Sequence, residues 1–216
     1  MDNIHTYLHS QLSPLYKTYN EVIKPLVADI ESRYEKFPRP IFNEIRAFND
    51  HVARCYTEPL DKRIISEQIP KATGHIERIL LDCYKFLNVK LHENIVGNFE
   101  RKTKYIDITS IDSGNFYPKY KVIYNDIVLK KREAKTKERT NKEDAILLYE
   151  QVYIQYDNLD DLLEKYRLKI NWAIAKFTTK KILSFLGWFG AAIISGIISS
   201  SFLPWDKFLQ WIVSIF

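Results

Sequence analysis

Apolar side chains recur at helical spacing along most of residues 1–181, and this pattern predicts a soluble part built from helices. The clearest amphipathic helix is predicted over residues 41–56. Its apolar positions fall on one face: Ile41, Ile45, Phe48, Val52 and Cys55. A further helix is predicted over residues 66–88, with Pro70 tolerated in its first turn. Residues 3–35 are also helical in pattern, with kinks expected at Pro14 and Pro25.

The helical pattern is interrupted at residues 105–119. Alternating β-branched residues and the turn-forming Ser113-Gly114-Asn115 predict an extended connection or a short hairpin there. From Tyr120 the helical pattern returns, and neither Pro nor Gly occurs again before Gly187. A heptad-like seam in this region predicts a stalk helix over residues 143–181 that continues without a break toward the C-terminal end.

Residues 182–203 contain no ionisable side chain, and they predict a transmembrane helix. At about 1.5 Å per residue, this segment is long enough to cover a hydrocarbon core of roughly 30 Å. Lysines at 176, 180 and 181 precede it, which places residues 1–181 in the cytoplasm by the positive-inside rule. Residues 204–216 are predicted to form a short amphipathic tail at the far interface.

Small residues recur every four positions along one side of the predicted span. They are Gly187, Ala191, Ser195 and Ser199. Because small side chains let transmembrane helices approach closely, the pattern favours a homo-oligomer, with this stripe at a helix contact or beside a pore. The alternative is a plain anchor in which the small residues have no role.

The charge and the residue composition limit which partners and cofactors the chain can be expected to bind. The net charge of +5 and the isoelectric point near 9.0 suit a negatively charged partner, either membrane lipid or RNA. Cys55 and Cys83 have no metal-ligand spacing, and the chain has no glycine-rich phosphate loop and no nucleophile motif. We therefore expect no metal and no cofactor. The basic run at residues 130–142 is interpreted as a solvated helix face.

The most specific polar feature lies on the helix predicted over residues 41–56. Arg46 and His51 are about 140° apart on this helix, and two further polar side chains, Glu44 and Asn49, accompany them. His75 occurs on the next helix. Histidine with arginine can cleave RNA without a metal, because the imidazole moves a proton and the guanidinium stabilises negative charge on phosphorus. The interpretation we favour is a structural or gating network that fixes a contact between helices or subunits.

The motif Arg46-x4-His51 in an all-helical domain resembles the R-x4–6-H signature of the HEPN superfamily, whose members are often dimeric RNases of bacterial defence and toxin systems. With its predicted span, the chain is similar to the HEPN-like membrane accessory proteins of RNA-targeting type VI-B CRISPR systems. The resemblance covers residues 36–90 and departs from the pattern at Ala47, where HEPN RNases usually carry a polar residue. It implies a place in the bacterial inner membrane and a functional partner that is an RNA-guided nuclease or another defence sensor.

These features together predict an all-α protein, a HEPN-like bundle whose long stalk helix runs into a single C-terminal transmembrane helix. The expected function is that of an oligomeric membrane effector or pore in bacterial antiphage immunity, without enzymatic activity. Two alternatives stay open. One is a membrane-tethered HEPN ribonuclease in which Arg46 and His51 are catalytic, and the other is a tail-anchored scaffold that recruits a partner.

Overall fold

The computed structural model describes residues 4–35 and 37–202, with side chains as far as residue 196. This described part of the chain contains helices and no strand, so the prediction of an all-α fold is confirmed for it. The α-helices are α1 Ile4–Thr18, α2 Lys24–Tyr34, α3 Arg39–Cys55, α4 Lys62–Leu91, α5 Asn98–Thr103, α6 Phe116–Lys137, α7 Lys142–Lys165 and α8 Arg167–Phe202. Two π-helical turns, Tyr19–Ile23 and His92–Gly97, and one 3₁₀ segment, Ile108–Gly114, connect some of them.

The π-helical turn Tyr19–Ile23 explains how the chain passes Pro25 without ending its helical path. Proline lacks an N–H group, and its ring clashes with the carbonyl four residues earlier in a regular α-helix. The wider π turn accommodates this, and α2 then begins with Pro25 in its first turn. The irregularity expected at Pro25 is therefore a π turn, whereas Pro14 lies inside α1.

The first hydrophobic core lies between α1, α2, α3 and α4, and Ala134 of α6 and Tyr149 of α7 are also buried in it. The face predicted for α3 is confirmed, because all its apolar positions are buried except Ile45, which is partly buried. Phe48 is fully buried, and its ring contacts the rings of Tyr16 and Tyr19 at centroid distances of 5.7 and 6.0 Å. These contacts attach the N-terminal helices to the hairpin formed by α3 and α4.

The second hydrophobic core joins the end of α4, the 3₁₀ segment, α6, α7 and the first turns of α8. Its fully buried members include Phe116, Ile127, Tyr156 and Leu159. Ile170 of α8 is also buried in this core. The start of α8 is therefore part of the folded domain.

The predicted start of one helix and the predicted structure of residues 105–119 are wrong. The second predicted helix is α4, which begins at Lys62 after the cap residue Asp61, so Pro70 lies inside the helix and not in its first turn. The extended connection or short hairpin predicted within residues 105–119 is a 3₁₀ segment followed by α6. Its isoleucines pack on the second core, and the turn into α6 has positive φ at Asp112, Ser113 and Gly114, where φ is +89°.

The uninterrupted stalk helix predicted over residues 143–181 is divided at Tyr166 into α7 and α8. Tyr166 is buried, its ring lies 5.3 Å from that of Phe116, and its hydroxyl accepts a hydrogen bond from Lys119 Nζ at 3.0 Å. Backbone hydrogen bonds from Tyr166 to Leu162 and from Ile170 to Tyr166 continue across the break. The interruption is therefore one residue long, and it is fixed by packing.

No helix within the described residues combines the length and the apolar character needed to cross a membrane. Of the predicted span 182–203, residue 203 and the side chains of residues 197–202 lie outside the described part of the chain, and so does the predicted tail 204–216.

Candidate functional site

The polar side chains of α3 and α4 meet because the two helices pack side by side in opposite directions. His51 contacts Gln68, and Glu44 contacts His75, so residue numbers rise along one helix as they fall along the other. Seven residues separate the two positions on each helix. Since seven residues make about two helical turns, both members of each pair face the opposing helix.

Glu44 is the centre of the cluster. Its Oε2 atom accepts hydrogen bonds from His75 Nδ1 at 2.6 Å and from Arg78 Nε at 2.8 Å. The side chains of Glu44, His75 and Arg78 are 26%, 15% and 41% exposed. Burial raises the pKa of Glu44, but the hydrogen bonds from Arg78 and His75 outweigh it, and the net pKa is lowered. The carboxylate is therefore ionised at neutral pH.

Arg78 also lies directly against the His75 ring. Its Nη2 atom is 2.8 Å from Nδ1 and 3.2 Å from Nε2 of that imidazole. Nδ1 donates its proton to Glu44 and so cannot accept one from Arg78. The charge-assisted bond to the carboxylate takes precedence, and the guanidinium packs against the ring between its two nitrogens.

The second histidine stacks on the first. The rings of His51 and His75 are 5.1 Å apart with an interplanar angle of 24°. His51 Nδ1 donates to Oε1 of the buried Gln68 amide at 2.7 Å. Nδ1 is engaged in both rings, and Nε2 of His75 lies 3.2 Å from Arg78 Nη2, so Nε2 of His51 is the ring nitrogen of this pair that forms no hydrogen bond with a described residue.

Arg46 and Asn49 lie outside this cluster. Arg46 is exposed, two residues and so about 200° away from Glu44 on the helix. Asn49 is also exposed, and its side chain donates to the Ile45 carbonyl at 3.0 Å. The structure thus brings together Glu44, His51 and His75, while the guanidinium next to the histidines belongs to Arg78.

Gln68 and Arg78 are the residues that sequence reasoning did not select as site residues. The signal for both was the spacing on α4, where Gln68, His75 and Arg78 follow one another at seven and three residues and share a helix face.

No group of three or more His, Cys, Asp or Glu side chains that could hold a metal ion occurs among the described residues. Cys55 and Cys83 are both free and buried. Burial raises the pKa of the Cys83 thiol to about 12, so this thiol is unreactive at neutral pH.

The small residues of the predicted span lie on the exposed surface of α8, as far as they are described. Ala191 and Ser195 are exposed, and a methyl group added at Gly187 would meet no atom within 4 Å. The side chain of Ser199 lies outside the described residues. This side of α8 is therefore unoccupied within one chain as far as Ser195.

No family model, no curated protein and no solved structure matches this chain. The HEPN resemblance stays a prediction that rests on Arg46-x4-His51 and on the overall architecture.

Proposed function

We propose that this protein is an oligomeric effector of the bacterial inner membrane, with its helical domain on the cytoplasmic side and residues 182–203 in the bilayer. The observation that carries the proposal is the surface of α8 beyond Lys181. The large apolar side chains described there are all about half exposed or more: Ile182, Leu183, Phe185, Leu186, Trp188, Phe189, Ile193 and Ile194.

An apolar surface of this kind is costly in water. Burial of apolar area is worth about 25 cal/mol per Å², and contiguous exposed patches mark contacts with membranes or proteins. The same segment has no ionisable group between Lys181 and Asp206. Lipid around the helix, with other copies packed on the small-residue side, would remove this cost.

The role in antiphage immunity rests on the resemblance to HEPN-like membrane accessory proteins. In this proposal the cluster of Glu44, His51 and His75 fixes the contact between α3 and α4 in the cytoplasmic domain. An RNA-guided nuclease or another defence sensor would act on that domain, and assembly of the membrane helices would perturb the bilayer.

The location is tested by extracting bacterial membranes that contain the full chain with alkaline carbonate. We expect the wild type to stay in the membrane pellet, and the Ile193→Lys/Ile194→Lys variant to move to the supernatant, since each central lysine disfavours insertion by about 3 kcal/mol. The matched control is Leu147→Lys/Ile154→Lys, which changes two similarly exposed apolar residues of α7 and should stay in the pellet. Wild-type protein in the supernatant would exclude the anchor.

The effector function is tested by expressing the full chain and recording the membrane potential with a voltage-sensitive dye. An effector that perturbs the membrane lowers the potential when it assembles. A tail-anchored scaffold leaves the potential unchanged while the protein remains in the membrane fraction, and this result would contradict the proposal.

A second candidate function is a membrane-tethered, metal-free ribonuclease, and the stacked imidazoles beside Arg78 favour it. Full-length protein in detergent would be incubated with RNA and a metal chelator. Loss of cleavage in His51→Ala and Arg46→Ala would indicate the HEPN pair. Loss in His75→Ala and Arg78→Ala, with Arg46→Ala still active, would indicate the α3–α4 cluster. The absence of any cleavage by the wild type excludes this candidate.

A further inference from the structure

A groove of about 730 Å³ lies between the 3₁₀ segment Ile108–Gly114 and the first half of α8. One wall is formed by the 3₁₀ segment and the residues just before it, and the other wall by α8. Its lining includes the side chains of Asp112, Lys169, Trp172, Lys176, Phe177 and Lys180.

Lysines outnumber carboxylates in the lining of this groove. Lys169 is paired with Asp112 at 2.5 Å. The other carboxylate in the lining, Asp107, accepts hydrogen bonds from the N–H and hydroxyl of Thr109 and so caps its own segment. Lys176 and Lys180 form no ion pair with any described residue. The end of the groove nearest the predicted span therefore carries uncompensated positive charge.

Aromatic rings contact two of the lysines at this end of the groove, Lys176 and Lys181. Lys176 Nζ lies 5.0 Å from the centre of the Trp172 ring. Lys181 Nζ lies 5.0 Å from the Tyr105 ring and 5.2 Å from the Phe177 ring, and these two rings stack at 6.5 Å. Cation–π contacts order lysine side chains while leaving the ammonium group able to bind an anion.

If residues 182–203 span the bilayer, the groove lies at the level of the lipid headgroups. Lys180 and Lys176 precede Ile182 by two and six residues, which correspond to about 3 and 9 Å along a helix axis. With residues 182–203 in the hydrocarbon core, both lysines lie at or just above the headgroup layer. They are four residues apart, so they stand on one face at a separation of about 6 Å, which allows one phosphate to contact both.

We propose that this groove binds the phosphodiester headgroup of an anionic phospholipid between Lys176 and Lys180. This inference rests on the proposed membrane location. The net positive charge favours an anionic lipid over a zwitterionic one, because the cation of a choline headgroup would meet the same lysines. Such a lipid would attach the cytoplasmic domain to the inner leaflet on the side of the 3₁₀ segment.

The test is a lipid titration of the full chain in detergent, followed by native mass spectrometry. Phosphatidylglycerol and phosphatidylcholine with the same acyl chains are compared. We expect wild-type protein to prefer phosphatidylglycerol by about tenfold. The Lys176→Gln/Lys180→Gln variant should lose this preference to within about twofold. The control Lys121→Gln/Lys142→Gln removes the same charge at exposed positions on α6 and α7 and should keep it.

Equal binding of both lipids by the wild type, or an unchanged preference in Lys176→Gln/Lys180→Gln, would overturn the inference. Loss of the preference on adding millimolar inorganic phosphate would assign the site to a soluble anion and would also overturn it. Flotation of the full chain with vesicles separates this failure from that of the proposed function. Protein that floats with phosphatidylcholine vesicles retains its membrane location, whereas protein that floats with neither kind of vesicle contradicts both proposals.

Discussion

The Glu44 carboxylate joins α3 to α4 through a single oxygen that accepts bonds from His75 and Arg78. Replacing Glu44 by Ala removes both bonds and leaves the two donors without their acceptor. Because these side chains are partly exposed, we expect a loss of about 1 kcal/mol in the free energy of unfolding. Urea unfolding of the full chain in detergent, followed by circular dichroism, measures it.

The control for Glu44→Ala is Asp50→Ala on the same helix. Asp50 pairs with Arg54 at 2.7 Å, but both side chains are more than half exposed. Its removal should change the free energy of unfolding by less than about 0.5 kcal/mol. Equal effects of the two substitutions would show that the Glu44 cluster does not hold the helices together.

His92, which lies beside Tyr156 of the second core, should make the stability of the protein depend on pH. Burial and the nearby Lys131 cation lower the pKa of His92 below its ordinary value of 6.5, and its Nδ1 atom lies 3.1 Å from the Tyr156 hydroxyl. Since the unfolded chain binds the proton more readily, the free energy of unfolding should fall as the pH drops through about 6.5 toward the folded-state pKa. Once the pH is below the folded-state pKa, the loss from this group is complete.

Measuring unfolding in urea at several pH values checks this expectation. His92→Gln should show a smaller fall over the same interval, because glutamine does not titrate. His9→Gln, which changes an exposed histidine of α1, should behave as the wild type. A wild-type stability that rises on acidification would contradict the assignment.

At the scale of elements, the start of α7 depends on Asn141. This residue is the N-cap, and its side-chain oxygen accepts a hydrogen bond from the Asp144 N–H at 3.1 Å. Asn141→Ala should reduce the free energy of unfolding by about 1 kcal/mol, as expected for loss of a helix cap. Thermal unfolding followed by circular dichroism provides the measurement.

The matched control is Asn125→Ala, at an exposed position inside α6. Alanine has the higher helix propensity, so this substitution should be neutral or slightly stabilising. If both alanine variants unfold at the same temperature as the wild type, the Asn141 cap does not stabilise the start of α7.

The helix breaks differ in how far the sequence could predict them. Asn141 followed by Glu143 and Asp144 is a recognisable helix start, so the end of α6 was predictable. Tyr166 carries no such signal, because its break arises from packing on Phe116 and a hydrogen bond from Lys119, both distant in sequence. The buried face of α3 was predictable because it follows from the helical spacing of its own apolar residues, which is a local property of the sequence.

The same reasoning applies to the candidate site. The helical period that turns Phe48 inward places Arg46 on the opposite side of α3, so its exposure could have been predicted. The stacking of His51 on His75 could not, since it depends on the register between α3 and α4. That register is set by side-chain packing across the two helices.

For the whole molecule, the proposal requires that copies associate through the small-residue side of α8. Gly187→Leu is tolerated at its first side-chain atom, because a Cβ added there meets nothing within 4 Å in the same chain. It should nevertheless reduce the mass of the detergent-extracted assembly by separating neighbouring helices. Light scattering coupled to size exclusion measures this mass.

Phe189→Leu, about 200° around the helix from Gly187, is the control and should leave the assembly intact. A wild-type assembly of more than two copies fits a pore lined by one helix per chain. A wild-type dimer is the state that a shared ribonuclease site requires. A wild-type monomer, or an unchanged mass in Gly187→Leu, would contradict association through this stripe.

The burial of Ile170 in the second core has a mechanical consequence. Because the first turns of α8 are packed beside Tyr166 and Phe116, α8 cannot spin about its own axis without repacking that core. α8 therefore keeps one fixed rotation about its axis relative to α6 and α7. A rotation of the apolar end of α8 would therefore be transmitted to α6 and α7 through the packed side chains of Phe116, Tyr166 and Ile170.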